Sequence, residues 1–170
     1  MESPKKKFTP AGVLGAVLGF AFSRYAGANV LIPVVGALLI GWVLTKRANG
    51  PHPMAAAVAA QGGHFLWMLI GALFGGAAPA FVVETALFAV GVAWLFLQPR
   101  LPAVLVLGTY QVVALVVNFT TMRAVPLDSS EARALSVHIA FRAIGIVAMV
   151  WGLRAARQAA EAATQPSTMH

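Results

Sequence analysis

Six apolar runs, each close to the length that crosses a membrane, constrain the fold of this chain more than any other feature. Five of the runs begin at or near a proline: Pro10, Pro33, Pro53, Pro79 and Pro102. Proline suits the first turn of a helix because its missing N–H has no partner there. The runs are about 16 to 23 residues long, and about 20 helical residues cross a bilayer core. The sequence therefore predicts an all-α, polytopic transmembrane helical bundle of about six spans: 10–26, 29–45, 54–76, 79–97, 102–121 and 134–153.

The first two runs allow more than one interpretation. Residues 10–45 are too long for one ordinary span and short for two, and the break SRYAGAN at 23–29 is typical of a tight turn. These residues are therefore interpreted as a hairpin of two helices. The basic residues 5–7, the apolar stretch and the AGA sequence also resemble a cleaved signal peptide, although Arg24 disfavours cleavage. A re-entrant or in-plane first helix is the third alternative.

The composition excludes an ordinary soluble domain. Apolar residues make up 59% of the chain and charged residues 10%, whereas soluble domains contain roughly a quarter charged residues. The chain is basic, with 12 Lys and Arg against 5 Asp and Glu, but all of these basic residues except Arg24 and Arg142 lie between or beyond the apolar runs. A nucleic-acid-binding protein would need a basic face on a folded soluble module. The predicted partner is therefore the lipid bilayer, and no nucleic acid is expected.

The placement of charges predicts that both termini are cytoplasmic. In that orientation eight basic residues lie inside: Lys5, Lys6, Lys7, Lys46, Arg47, Arg100, Arg154 and Arg157. Three lie outside, namely Arg24, Arg123 and Arg133, which fits the excess of positive charge in cytoplasmic loops. Trp42, Trp94 and Trp151 then lie near the inner membrane surface, where aromatic residues are enriched.

The predicted domain organisation follows from the spans. We expect a basic cytoplasmic tail at 1–7, a single transmembrane domain at 8–154 and a partly disordered cytoplasmic tail at 155–170. The short basic tails favour a multi-pass protein of a cell membrane, specifically a prokaryotic inner membrane.

Small residues at a spacing of four indicate how the helices pack. Gly15 with Gly19, Gly71 with Gly75, and Ala89 with Ala93 match the small-xxx-small pattern of close helix contacts in membranes. Internal packing explains the pattern in a bundle rich in Gly and Ala. The alternative is a surface for a homo-oligomer or a larger membrane complex.

Ionisable residues within the spans predict a polar site near the bilayer midplane. Arg142 lies about 2 Å from the midplane of its span and Glu84 about 6 Å from it, with His138 one turn from Arg142. An arginine at this depth costs about 2.5 to 3.5 kcal/mol on insertion scales, so it normally faces protein or a wet cavity. We therefore expect Glu84 and Arg142 to pair, with His138 beside them. His64 and Gln111 lie near the same depth and complete the candidate site.

Each of these residues also has a purely structural interpretation. The pair Glu84 and Arg142 can be a salt bridge that fixes helix register, and His64 can be a histidine that hydrogen-bonds a neighbouring helix. Gln61, Gln111 and Asn118 can play the same role. Trp67, near the middle of the third run, is interpreted as a core residue rather than a stacking platform.

Motifs for known chemistry are absent from the sequence. It has no cysteine, no HExxH or similar metal-ligand spacing, and no glycine-rich phosphate loop or GxSxG. No cofactor and no metal site are predicted.

The sequence is compatible with three functions. The first is a small transporter, channel or membrane subunit of a transport system, with Glu84, His64 and Arg142 as proton or ligand groups. The second is a structural or accessory membrane protein in which the polar cluster only fixes helix packing. The third is an intramembrane enzyme acting on lipid, which needs His138 and Glu84 as an acid and base.

Overall fold

The described part of the chain is helical throughout and contains no strand. The computed structural model describes residues 30–47, 54–75, 78–98 and 100–164. Within these ranges lie five helices: α1 (Leu31–Arg47), α2 (Ala55–Phe74), α3 (Pro79–Leu97), α4 (Leu101–Met122) and α5 (Ser130–Thr164).

Four of these helices are long and apolar enough to cross a membrane. They are α2, α3, α4 and α5, whereas α1 has 17 residues and extends about 26 Å. The predicted span 10–26 lies outside the described residues. The structure therefore supports a membrane-embedded helical protein, while the count of six spans and the cytoplasmic position of both termini stay predictions.

The middle helices begin and end close to the positions that the prolines predict. Pro79 is the first residue of α3, and Pro102 lies in the first turn of α4. The predicted span 79–97 coincides with α3, and 54–76 and 102–121 differ from α2 and α4 by one or two residues at each end.

The last helix is longer than its predicted span. It occupies Ser130–Thr164 instead of 134–153. The helix is therefore about 52 Å long, which exceeds the thickness of a bilayer core, roughly 30 Å. Its start is capped by Ser129, whose Oγ accepts the backbone N–H of Ala132 at 3.0 Å. Its end extends into the predicted tail at 155–170 because residues 154–164 are mostly Ala, Arg, Gln and Glu, which favour helix.

The four long helices form a ring. Close packing joins α2 to α3, α3 to α4, α4 to α5, and α5 back to α2, while α1 packs against α2. The short connections at 75–78, 98–100 and 123–129 make consecutive helices antiparallel. Of the described helices, α3 and α5 therefore lie diagonally across the ring, as do α2 and α4.

The closest helix contact is between α1 and α2. A side chain on Gly63 would overlap the carbonyl oxygen of Pro33 and lie 2.7 Å from the backbone nitrogen of Ala37. Only glycine fits this approach. Gly71, one of the glycines predicted to pack, would meet the Phe81 ring at an ordinary 3.5 Å, and Gly15 and Gly19 lie outside the described residues.

The ring encloses an apolar core and exposes apolar residues on its outside. Phe88, Leu95, Leu107, Met68 and Met149 are fully buried within it. Many large apolar side chains on all five helices face outward, as expected for surfaces in contact with lipid. Buried polar side chains interrupt this core, among them Gln61, His64, Gln111 and Arg142.

Candidate functional site

A fully buried arginine on α5 pairs with a glutamate on α3. Nη2 of Arg142 donates a hydrogen bond to Oε1 of Glu84. Arg142 is 0% exposed, whereas 35% of the Glu84 side chain is exposed. Because α3 and α5 lie diagonally across the ring, the length of the arginine side chain, not close packing of the two helices, makes this contact. The predicted pair is therefore present, but it spans the bundle.

A second hydrogen-bond chain leads from Arg142 across the bundle in another direction. Nη1 of Arg142 donates to Oε1 of Gln111 on α4 at 2.6 Å. Nε2 of Gln111 donates to Oε1 of Gln61 on α2 at 2.5 Å. Together with Glu84, these bonds link all four helices of the ring through one guanidinium group.

The arginine determines which atoms donate and which accept along this series of hydrogen bonds. A guanidinium has no acceptor, so the atom of Gln111 that meets it must be the carboxamide oxygen. The nitrogen of Gln111 then faces Gln61, whose oxygen must accept. The chain therefore ends in the Gln61 amide nitrogen, which has no hydrogen-bond partner among the described residues.

A glycine on α5 leaves room for the Gln61 carboxamide, where this series of hydrogen bonds ends. A Cβ on Gly145 would overlap the Gln61 amide nitrogen and lie 2.8 Å from its carboxamide carbon. Gly145 lies one turn from Arg142 along α5. The glycine thus permits Gln61 to lie against the helix that carries the arginine.

Tyr110 closes the ion pair on the α4 side. Its hydroxyl donates to Oε1 of Glu84 at 3.3 Å, and the Arg142 guanidinium carbon lies 5.5 Å from its ring centre. A cation within about 6 Å of an aromatic ring is attracted to its face. Tyr110 therefore contacts both charges of the pair.

The two histidines form a separate pair between α2 and α5. Nε2 of His64 lies 3.1 Å from Nδ1 of His138, so one nitrogen donates and the other accepts. In the described residues His138 has no hydrogen bond to Glu84 or Arg142. The sequence predicts His138 beside Glu84 and Arg142, whereas its hydrogen bond directs it to His64 on α2.

Aromatic rings surround the histidine pair. The Trp67 ring centre lies 4.5 Å from that of His138, and the Phe88 ring centre lies 5.2 Å from that of His64. The Phe141 ring centre, on α5, lies 6.0 Å from that of His64. Within these rings His64 is fully buried and His138 is half-buried. Trp67 is a core residue, as predicted.

Several buried polar atoms near this layer lack a partner in the described part of the chain. They are Nε2 of Gln61, Nδ1 of His64, Nε of Arg142 and Nδ2 of Asn118. A buried polar group without a hydrogen bond is costly, so each needs an explanation. Three of the four belong to the network around Arg142 and the histidine pair. The site therefore carries more hydrogen-bonding groups than its internal contacts use.

Four of the five predicted site residues are brought together in two pairs, Glu84 with Arg142 and His64 with His138, and Gln111 binds the arginine directly. Asn118 lies on α4 without a bond to the cluster, and Arg24 lies outside the described residues. The roles of Tyr110 and Gly145 are not predicted from the sequence. Their positions were the available signal, since Tyr110 precedes Gln111 and Gly145 follows Arg142 by three residues.

The chemistry available here is that of proton and hydrogen-bond exchange. The described residues contain no group of three or more His, Cys, Asp or Glu side chains that could hold a metal ion. They do contain one carboxylate, two imidazoles and a tyrosine close to a buried cation.

Comparison with protein-family models, with curated proteins and with solved structures returned no match.

Proposed function

We propose that this protein is a small transporter, channel or membrane subunit of a transport system, with Glu84 and Arg142 at its midplane site. The observation that supports this best is the unequal exposure of the pair. Arg142 is sealed, while 35% of the Glu84 side chain is exposed. A charged residue at this depth is expensive and marks a substrate or ion pathway by default.

The hydrogen bonds of Glu84 favour one of its two carboxylate oxygens as the atom that binds the transported proton or ligand. The bonds from Arg142 and from Tyr110 both end on Oε1. Oε2 accepts none from the described residues. In the proposed function Oε2 takes up a proton or a small cationic or hydrogen-bonding ligand, and Arg142 balances the carboxylate whenever that position is free.

Cysteine accessibility tests whether water reaches Glu84. The chain has no cysteine, so single substitutions give unambiguous labels. Phe81 lies three residues before Glu84 on the same helical face and is half-buried, whereas Val83 at nearly the same depth is 59% exposed and points away. A thiol reacts as the thiolate, which forms in water and not in lipid.

We expect Phe81→Cys in membrane vesicles to react with a charged methanethiosulfonate reagent, and Val83→Cys to remain unmodified. Both variants should react with the reagent after denaturation in detergent, which shows that the thiol is intact. Absence of reaction at Phe81→Cys in the folded protein would mean that no aqueous path leads to the site, and would reject the proposed function.

Proton movement is the first activity to measure. Proteoliposomes with an imposed pH gradient should lose it faster than protein-free liposomes, and Glu84→Gln should remove the difference. Glu131→Gln is the matched control, because Glu131 is an exposed acid in the first turn of α5. Equal decay in wild-type and protein-free liposomes would exclude the proton as the transported ion.

A structural or accessory role is the second candidate, and a specific observation favours it. Arg142, Gln111 and Gln61 are fully buried and connect three helices of the ring. In this role the cluster is sealed and neither cysteine variant above reacts. The enzyme hypothesis needed His138 and Glu84 to act together, and His138 instead contacts His64, so we do not propose it.

The cellular setting is part of the same proposal. A multi-pass protein of a prokaryotic inner membrane accounts for the basic residues between the apolar runs. A homo-oligomer or a larger complex is the arrangement in which the remaining Gly and Ala faces would be used.

A further inference from the structure

A ridge on the outside of α5 separates two apolar grooves. The ridge consists of Ile146, Val150 and Arg154, which are four residues apart and therefore lie on one face of the helix. From Ile146 to Arg154 it extends about 12 Å. Arg154 ends the ridge where the apolar part of α5 ends.

Both grooves use the same two apolar residues of this ridge. One has a volume of about 430 Å³, and its lining among the described residues also includes Val147, Trp151 and Arg154. The other has a volume of about 340 Å³, runs between α4 and α5, and includes Gly108 in its wall. Two adjacent apolar grooves thus lie side by side along the helix, and a cation lies at the end of the ridge that they share.

This geometry matches a molecule with two apolar chains and one negative head. Arg154 is exposed, and the ion pair that the structure shows among the described residues, Arg142 with Glu84, does not involve it. Trp151 is 71% exposed one turn earlier, at the depth where indole rings lie at the membrane surface. Basic positions beside grooves between membrane helices bind anionic lipid head groups.

A second copy of the chain fits less well. A parallel copy would bring a second set of basic residues to the same end of the bundle, where Arg100, Arg154 and Arg157 already lie. Like charges brought together across an interface are unfavourable.

We propose that the ridge Ile146, Val150 and Arg154 is a binding site for an anionic two-chain phospholipid. Its acyl chains lie in the two grooves on either side of the ridge, and its phosphate accepts hydrogen bonds from the Arg154 guanidinium. The site is on the outside of the bundle, separate from Glu84 and Arg142, and it does not depend on the proposed transport function.

Fluorescence quenching by brominated lipids tests this proposal on the full chain. Replacing Trp42 and Trp94 with Phe leaves Trp151 as the exposed reporter, while buried Trp67 contributes a constant background. The protein is reconstituted with brominated phosphatidylglycerol or brominated phosphatidylcholine at equal mole fractions. The measured quantity is the ratio of their association constants at Trp151.

We expect phosphatidylglycerol to bind about fivefold more tightly than phosphatidylcholine, since one basic residue near the surface contributes about that factor. Arg154→Gln should bring the ratio close to one. Arg157→Gln removes the same charge one turn further along α5, outside both grooves, and should leave the ratio unchanged.

Three results would overturn the proposal. A ratio near one before any arginine is changed would mean that the grooves hold any lipid. An equal fall in the ratio of association constants in Arg154→Gln and Arg157→Gln would mean that the basic surface attracts anionic lipid without a specific site. Quenching by neither lipid would mean that another protein surface covers Trp151.

Discussion

Arg142 sets the requirements for the side chains around it. A guanidinium near the middle of a membrane-spanning helix needs a counter-charge and acceptors, and it finds them in Glu84 and in the Gln111 oxygen. The Tyr110 ring covers part of its face. Because Glu84 is partly exposed and Arg142 is not, removing one partner should destabilise the protein by a different amount from removing the other.

Removing one partner of the ion pair should destabilise the protein unequally. Glu84→Gln leaves a buried charge without its counter-ion, and we expect a loss of about 3 kcal/mol in the free energy of unfolding. Arg142→Gln should cost less, because the carboxylate it leaves unpaired is partly exposed, whereas the guanidinium left by Glu84→Gln is fully buried. The double variant should recover most of the loss. Thermal unfolding of all four proteins in detergent measures this coupling, and strictly additive losses would contradict the ion pair.

The two glutamines of the hydrogen-bond chain should also differ, although both are fully buried. Gln111→Leu strands two groups, Nη1 of Arg142 and the Gln61 oxygen, so we expect a loss of about 2 to 3 kcal/mol. Gln61→Leu strands only the Gln111 nitrogen and should cost about 1 kcal/mol. Unfolding of the two variants under identical conditions gives the comparison, and a larger loss for Gln61→Leu would show that the direction of the chain is wrong.

At the scale of the element, α5 presents different faces to different neighbours. His138 and Arg142 are four residues apart, which rotates one relative to the other by about 40° around the helix. That rotation is enough to direct His138 to His64 on α2 and Arg142 to Glu84 and Gln111. One turn further, Gly145 lies under Gln61. Three successive turns of one helix thus build the polar layer.

Adding one methyl group to this face of α5 should separate it from α2. The new Cβ of Gly145→Ala would overlap Gln61, and overpacking of this kind costs about 1 to 3 kcal/mol. Gly108→Ala is the matched control, because its Cβ would lie 3.9 Å from the nearest atom, the Met149 Cε. Alanine favours helix over glycine, so that variant should be as stable as wild type or more so.

Gly145→Ala combined with Gln61→Ala, which shortens the side chain that the new Cβ would overlap, separates overpacking from other causes of destabilisation. In a Gln61→Ala protein the overlap is absent, and Gly145→Ala should then cost little. Thermal unfolding of the four proteins tests this, and an unchanged cost in the Gln61→Ala background would locate the conflict elsewhere.

At the scale of the whole molecule, local signals predicted the helices, and their arrangement depended on long-range contacts. Proline positions and run lengths placed α2, α3 and α4 within a residue or two, because helix starts are local properties. The cost of burying Arg142 predicted its partner Glu84. The diagonal position of α3 and α5, and the turn of His138 toward α2, follow from how the ring closes. The end of α5 was missed because hydrophobicity, and not helix propensity, set the predicted boundary.

The charges at the two ends of the ring predict its orientation in the membrane. One end carries Arg100, Arg154 and Arg157 together with Glu161, and Lys46 and Arg47 of α1 lie at the same end; the other carries Arg123 and Arg133 together with Asp128 and Glu131. The first end should be cytoplasmic, because basic residues are retained there. Two exposed loop positions report this directly, Gln98 before α4 and Asp128 after it.

An impermeant maleimide should label Asp128→Cys in intact cells and Gln98→Cys only after the membrane is permeabilised. The absence of native cysteine makes the label specific to each position. The reverse pattern would invert the bundle and place Arg154, with its proposed lipid site, at the outer surface. Labelling of both positions from one side would be more serious, because α4 would then not cross the membrane and the polar layer would not lie at the midplane.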